Sequence, residues 1–563
     1  MKHLKLKGLV AAMAIAGLSG MAQAGPVTDQ MLAQDAGDAW LHANGNWAGH
    51  RYSKLQLINA RNAKNLKMEW MTSVGAKTDS MATPLYHDGL LFFPQDNKVF
   101  AISPDDGSIV WKYEHELPED WGGYNVPFFT GKHRGVAISG NYVFFLSNDN
   151  KLHAIDYKTG RAQFIKDYQD QGFPYPKDFS QAGDSNGYIS TVGPLAIPGA
   201  VLLPMNGTDT GGLPGYIVAV SPADGEVMWK ANMIPGPGEE GYDTWPEGSH
   251  EFGGAGPWIV GSYDPDLNMY FTGTANAYEW NPKNRGGGEM DNLGAASIVG
   301  VNAGDGTVAW RYVGVPGDPW DYDLPNTPLV IEIDGLKTIV QPNKTGFIHH
   351  LDAASGKFLK ADQFVDEVNW IKGYDKNGRP IDMIPLPEEG GDPVLVQPGL
   401  LGGVNMYPSA YSPKTGMVYL PTSESSMMYG FEEIKIISNV RHFGAYQEFE
   451  WGDEIDKAVN VKTGEEVWRD TQSGKPGYAG GMLATAGDIV VYTTQGGVFK
   501  VMHAKSGKEL YSMNLGITAK SGAMTFKHKG KQYIVQALGS QAQFGRDEIL
   551  GLEFGSAIVA FTK

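Results

Sequence analysis

The chain has 563 residues, 42% of them hydrophobic and 19% charged, with 74 glycines, 33 prolines and no cysteine. That composition excludes a disordered or membrane-embedded polypeptide, a thiolate metal site, a cysteine nucleophile and a covalently attached c-type haem. A formal net charge of −18 argues against nucleic acid as a partner and suits a basic protein.

In chain order, residues 1–24 read as a secretory signal. Lys2, Lys5 and Lys7 form a basic start, residues 9–18 an apolar run, and Ala22-Gln23-Ala24 a small-x-small cleavage site. The run is too short to span a bilayer well, and no later stretch reads as membrane-spanning. The expectation is an exported, periplasmic protein cleaved after Ala24, with residues 25–563 as one domain. Loss of three lysines with the signal takes the net charge from −18 to −21.

Beyond it one pattern recurs: a polar loop ending in Asp, Thr or Ser followed by Gly, then an aromatic four positions later. It appears as Asp106-Gly107 with Trp111, Thr159-Gly160 with Phe164, Asp224-Gly225 with Trp229 and Asp305-Gly306 with Trp310. It returns as Thr463-Gly464 with Trp468 and Ser506-Gly507 with Tyr511, while Ser355-Gly356 lacks the aromatic. Glycine supplies the positive φ of a tight hairpin turn, and the aromatic packs between adjacent sheets. Most copies lie roughly 43 to 81 residues apart, one four-stranded blade plus a loop. About 108 residues separate Gly356 from Gly464, room for two blades, and Tyr411-Ser412-Pro413-Lys414-Thr415-Gly416 reads as a divergent eighth turn. The expected fold is all-β, an eight-bladed β-propeller of four-stranded antiparallel blades.

Such a fold gathers distant loops around one axis, so polar clusters far apart in sequence meet there. Asn206-Gly207-Thr208-Asp209 ends an apolar strand, and a second strand runs through Tyr270-Phe271-Thr272 to Gly273-Thr274-Ala275-Asn276. In Pro319-Trp320-Asp321-Tyr322-Asp323, two carboxylates at i and i+2 of an extended segment point to one side. Asp209, Asn276, Asp321 and Asp323 together make an all-oxygen set for a hard cation. Each residue alone is more often a turn former than a ligand.

These segments resemble the methanol and ethanol dehydrogenases that use pyrroloquinoline quinone (PQQ). The likeness is densest from Tyr263-Asp264-Pro265 to Asn326, including Trp280-Asn281-Pro282, and continues in 410–416 and 483–487. It implies periplasmic oxidation of an alcohol by PQQ held beside Ca2+ or a lanthanide ion, with a separate soluble cytochrome c as electron acceptor. It implies that Asp321 is the catalytic base. Asn276 and Asp321 match metal ligands, Asp209 stands where glutamate is usual, and Asp323 occupies the position of an extra carboxylate associated with lanthanide-using members. Trp258 matches the indole flanking PQQ, and Arg134 and Lys344 match bases that bind the quinone's oxygens. Thr191 matches a hydroxyl for a PQQ carboxylate, and Asn206, Gly207, Thr208 and Asn405 fall in the same cofactor pocket.

Four positions depart from the family. Phe128-Phe129 replaces a vicinal Cys-Cys pair, Met81 replaces a glutamate, and Ala479 falls near a usual tryptophan. With Met427, Met428, Tyr429 and Phe431 on a long connection, these departures predict a wide pocket and a bulky or secondary alcohol. Two other readings stay open at this level: a non-catalytic propeller scaffold, and a binding propeller that has lost PQQ.

Overall fold

The computed structural model describes residues 25–75, 79–122, 131–176, 187–206, 212–434, 436–437, 440–441, 444–539 and 555–563. Within them seven four-stranded sheets and one five-stranded sheet carry an all-β fold. Five are plain meanders of consecutive antiparallel strands. The first runs through Leu85–His87, Leu90–Gln95, Lys98–Ile102 and Ile109–Glu114.

The recurring glycine turn joins the third strand of a sheet to its outer fourth. In the first meander Gly107, at φ 74°, donates its N–H to Ser103 O at 3.0 Å. One residue into the fourth strand the register slips by a bulge. The glycine is needed for a second reason, which lies outside its own sheet. A Cβ on Gly160 would lie 2.7 Å from the Trp111 ring, and one on Gly306 2.6 Å from Trp229. The aromatic of each sheet is thus roofed by the turn of the next. The indole N–H groups of Trp111, Trp229, Trp310 and Trp468 donate to Tyr157 O, Ala303 O, Ala353 O and Ala504 O at 3.0–3.1 Å. In the degraded copy the role falls to Asp362, which lies under Gly464.

The structure corrects the placement of the irregular sheets. The Tyr411–Gly416 turn joins Ala410–Ser412 to Met417–Ser423, and both strands belong to the sheet whose outer turn is Thr463-Gly464. The stretch from 356 to 464 therefore holds one repeat sheet. The remainder is an insertion: a hairpin of Gly373–Tyr374 with Pro380–Ile381, and a three-stranded sheet of Val394–Val396, Ser426–Phe431 and Ala445–Glu450. The sheet missing from the sequence pattern is made by the chain ends, where Lys67–Ser73 pairs with Ser556–Thr562 beside Lys531–Gly539 and Met524–His528. Trp70 is its aromatic. Its N–H donates to Pro104 O at 2.9 Å, and it lies under Gly107.

Candidate functional site

Asp321 and Asp323 lie in the connection from Val308–Val313 to Leu329–Ile333. The segment is not extended as expected, because Asp321 sits at φ 61°, a left-handed conformation that aspartate tolerates better than most residues. The two carboxylates nevertheless converge. Lys344 Nζ lies 3.4 Å from Asp321 Oδ2, 2.8 Å from Asp323 Oδ2 and 2.9 Å from Asp321 O. Burial works against the ammonium charge, but the Asp321 and Asp323 carboxylates outweigh it and hold Lys344 above the ordinary lysine range. Lys344 follows the strand Leu336–Pro342.

Asn276 follows the strand Met269–Gly273 and closes this group. Its backbone N–H donates to Asp323 Oδ1 at 2.5 Å, and Leu324 N–H donates to Thr274 O at 3.1 Å, so the two segments are zipped together. The Asn276 side-chain amide donates to Ala277 O, while its Oδ1 is buried and accepts nothing among the described residues. An orphaned amide oxygen beside two carboxylates suits a hard cation. Among the described residues no three carboxylate, histidine or cysteine side chains gather as a metal cluster. The set here is two carboxylates and an amide; Asp209, with Gly207 and Thr208, lies outside the described residues, as do Phe128 and Phe129.

A second group forms around Arg134. Its Nη1 donates to Thr191 Oγ1 at 2.5 Å, and its guanidinium lies 5.0 Å from the centroid of the Trp258 ring, a cation–π arrangement. Asn206 brackets Thr191, donating to its Oγ1 at 3.0 Å and accepting from its N–H at 3.3 Å. Asn405 links the two groups through backbone and sequence neighbours. Asn326 Nδ2 donates to Asn405 O at 3.1 Å, and Met406 Sδ lies 3.7 Å from Arg134 Nη2. Asn405's own side chain is engaged with Leu401 O and the Met406 N–H. The described candidates therefore meet as carboxylates with Lys344 and Asn276, and as Arg134 with Thr191, Asn206 and Trp258.

The residues offered as a wide apolar wall behave differently. Met427, Tyr429 and Phe431 are buried in one cluster with Trp320, Tyr322 and Trp370, and Tyr429 stands edge-on to Trp320 at 5.4 Å. They pack the inserted sheet onto Trp320 and Tyr322, the neighbours of Asp321, while Met428 is exposed. Their chemistry therefore gives no support to a bulky substrate. Ala479 packs among Ala410, Met482 and Ala484, and Tyr478 stacks on Tyr407 at 5.1 Å.

Sequence reading missed Arg285 and Asp318. Arg285, fully buried, donates to Asn292 Oδ1, Gly317 O and Asp318 O at 2.5–2.9 Å and so braces the approach to Asp321. Burial pushes the Asp318 carboxyl up to about 6, with the Trp320 and Tyr322 N–H groups opposing. Their partners are mostly backbone groups, carbonyls for Arg285 and N–H groups for Asp318, which leave no mark in the sequence.

The family described as "PQQ: Glucose/ethanol/alcohol dehydrogenase, beta-propeller domain" matches residues 40–361 and 444–534, and the gap spans most of the insertion. The chain is 31% identical to the quinoprotein alcohol dehydrogenase PedH of Pseudomonas putida, over 92% of this chain and 89% of the relative. It is 29% identical to a lanthanide-dependent methanol dehydrogenase of Methylorubrum extorquens, over 88% and 86%. A solved europium-containing methanol dehydrogenase superposes with a TM-score of 0.82 at 26% identity, covering 93% of this chain and 98% of the other.

Proposed function

The chain belongs to the PQQ-dependent alcohol dehydrogenase family of β-propeller proteins, and from that premise we propose how it works. It oxidises an alcohol to the aldehyde or ketone in the periplasm, after cleavage of residues 1–24. Residues 25–563 are read as one domain whose eight repeat sheets are eight blades. The observation that carries the reading is the meeting of Asp321, Asp323 and Lys344 beside the unpartnered Asn276 oxygen.

The residues fit the cofactor and its cation. Arg134 offers donors for the quinone's oxygens, Thr191 a hydroxyl for a carboxylate, Trp258 a flat face, and Asp321, Asp323 and Asn276 the oxygens for a hard ion; Gly207, Thr208 and Asp209 are assigned to the same site. When bound, the quinone accepts a hydride and the cation polarises its carbonyl. The Asp321 carboxylate takes the hydroxyl proton of the alcohol. Lys344 holds that carboxylate in place through Nζ.

Asp323 brings a second carboxylate, and a trivalent ion gains more from each added charge than calcium does. Dye reduction by the PQQ-loaded protein is expected to be at least as fast with lanthanum as with calcium, and Asp323→Ala to shift the preference towards calcium. Equal preference in the two proteins would refute the assignment.

The chain has no cysteine to attach a c-type haem, so the electrons leave to a separate carrier, a basic soluble cytochrome c. Its reduction rate is expected to fall steeply as added salt screens the acidic surface. A rate insensitive to ionic strength would remove this partner. Among the described residues no helix is long and apolar enough to cross a membrane.

A further inference from the structure

The inserted sheet has two faces of different character. Val394–Val396, Ser426–Phe431 and Ala445–Glu450 pair antiparallel, so alternate side chains share a face. Met427, Tyr429, Phe431 and Val396 are buried on one face, in the cluster that holds Trp320 and Trp370. The other face meets water. On it Leu395 lies directly opposite Met428, Met428 opposite Glu448, Gly430 opposite Tyr446 and Ser426 opposite Glu450. Leu395, Met428 and Tyr446 are 44%, 36% and 41% exposed. Cross-strand neighbours stand about 5 Å apart and diagonal ones about 7–8 Å, so the three form one apolar group. The solvent face of such a sheet is ordinarily polar, and adjacent exposed apolar side chains inside a polar rim mark an interaction site.

The rim is acidic. Glu448 and Glu450 share the outer face, and Glu432 and Glu433 continue the strand Ser426–Phe431 as exposed residues. Among the described residues none of these four is in an ion pair, and Glu448 accepts the Tyr446 hydroxyl at 3.0 Å. Methionine and tyrosine inside a charged rim have the composition of a protein interface, and the acids call for a positive occupant. A second copy of the chain would set these acids against themselves, because a two-fold contact pairs a surface with itself. An anionic membrane is repelled in the same way. Position points the same way as charge. Tyr429, next to Met428, stands edge-on to Trp320 at 5.4 Å, and Trp320 precedes Asp321. A partner on this face is one sheet away from the Asp321 segment, about 10 Å at the usual spacing of packed layers.

We propose that the outer face of the inserted sheet, centred on Met428, is the docking surface for a basic one-electron carrier, a soluble cytochrome c. The proposal rests on the reading of this chain as a PQQ enzyme. Each alcohol oxidised releases two electrons and two protons. A c-type haem takes one electron, so two carrier molecules are reduced in succession and the protons pass to water. Two of the three strands lie in the stretch that the family match leaves out, so the surface belongs to this chain's own insertion.

The test is the rate at which the holoenzyme, loaded with PQQ and metal, reduces a basic soluble cytochrome c, beside its rate with a small dye. Glu448→Lys is expected to lower kcat/KM for the cytochrome about tenfold at low salt, and Met428→Ser about fivefold, with dye reduction unchanged in both. Glu465→Lys makes the same change in net charge on the exposed Thr463-Gly464 turn, at the far end of the strand Asp453–Asn460. It is expected to leave both rates close to wild type. Cytochrome reduction at the wild-type rate in either Glu448→Lys or Met428→Ser, or an equal loss in Glu465→Lys, would overturn the docking surface. So would a dimer in sedimentation that Met428→Ser dissolves. A wild type that reduces the dye but not the cytochrome would remove the carrier and the surface with it. A wild type that reduces neither would instead overturn the reading of this chain as a PQQ enzyme.

Discussion

Asp321→Ala is expected to abolish turnover in a protein that still folds. The carboxylate is the proton acceptor, and loss of general-base help alone lowers rates by on the order of 10²–10⁴; loss of a cation ligand adds to this. The fold has little reason to fail. The segment is anchored by Trp320 and Tyr322 in their buried cluster, and Lys344 keeps its 2.8 Å contact with Asp323. The measurements are kcat by dye reduction with PQQ and metal supplied, beside circular dichroism and thermal unfolding. A folded Asp321→Ala protein with turnover within tenfold of wild type would sink the mechanism.

Gly273→Ala is the second large effect, and it acts through backbone. A Cβ on Gly273 would lie 1.7 Å from Leu324 O and 2.8 Å from Gln341 Nε2. Leu324 cannot step aside cheaply, since its carbonyl accepts from Gln341 at 2.8 Å and its N–H is bonded to Thr274 O. Overpacking a core costs about 1–3 kcal/mol when side chains yield, and here backbone must move, so about 3 kcal/mol is expected. The displaced residue follows Asp323, so metal binding and turnover should be lost in whatever fraction folds. Gly236→Ala is the control, because a methyl there meets nothing within 4 Å. Thermal unfolding and metal titration read the outcome; a Gly273→Ala protein with the wild-type melting point and metal affinity would show that this contact does not hold the site.

The Gly273 case shows why part of the site was legible in the sequence and part was not. The motif from Gly273 to Asn276 and the pair Asp321 and Asp323 stand out because each is a compact local string. Their union rests on a backbone approach that no side chain announces. The i, i+2 argument expected both carboxylates on one side of a strand. They converge instead through the left-handed φ of Asp321 and the reach of Lys344 from the next sheet. Met427, Tyr429 and Phe431 read as pocket because adaptable apolar residues on a long connection suit either a ligand or a core. Packing against Trp320 and Trp370 decides for the core.

The repeat itself was a property of sequence. A glycine at positive φ and an aromatic four residues later are local demands of one hairpin, so six copies announced themselves and with them an all-β chain of similar sheets. The order of those sheets at the irregular places was decided only in three dimensions. The closing sheet draws its outer strand from Lys67–Ser73 and its other three from the C-terminal part of the chain, so Trp70 has no turn of its own beside it. Its glycine partner is Gly107 in the next sheet. The same holds for Asp79, Lys132 and Lys520, which stand far apart in the chain and become one charged cluster on folding. Short-range patterns are written by the conformational needs of neighbouring residues. Contacts that span the chain arise from sheet closure and burial, which act on distance in space and leave no spacing to read.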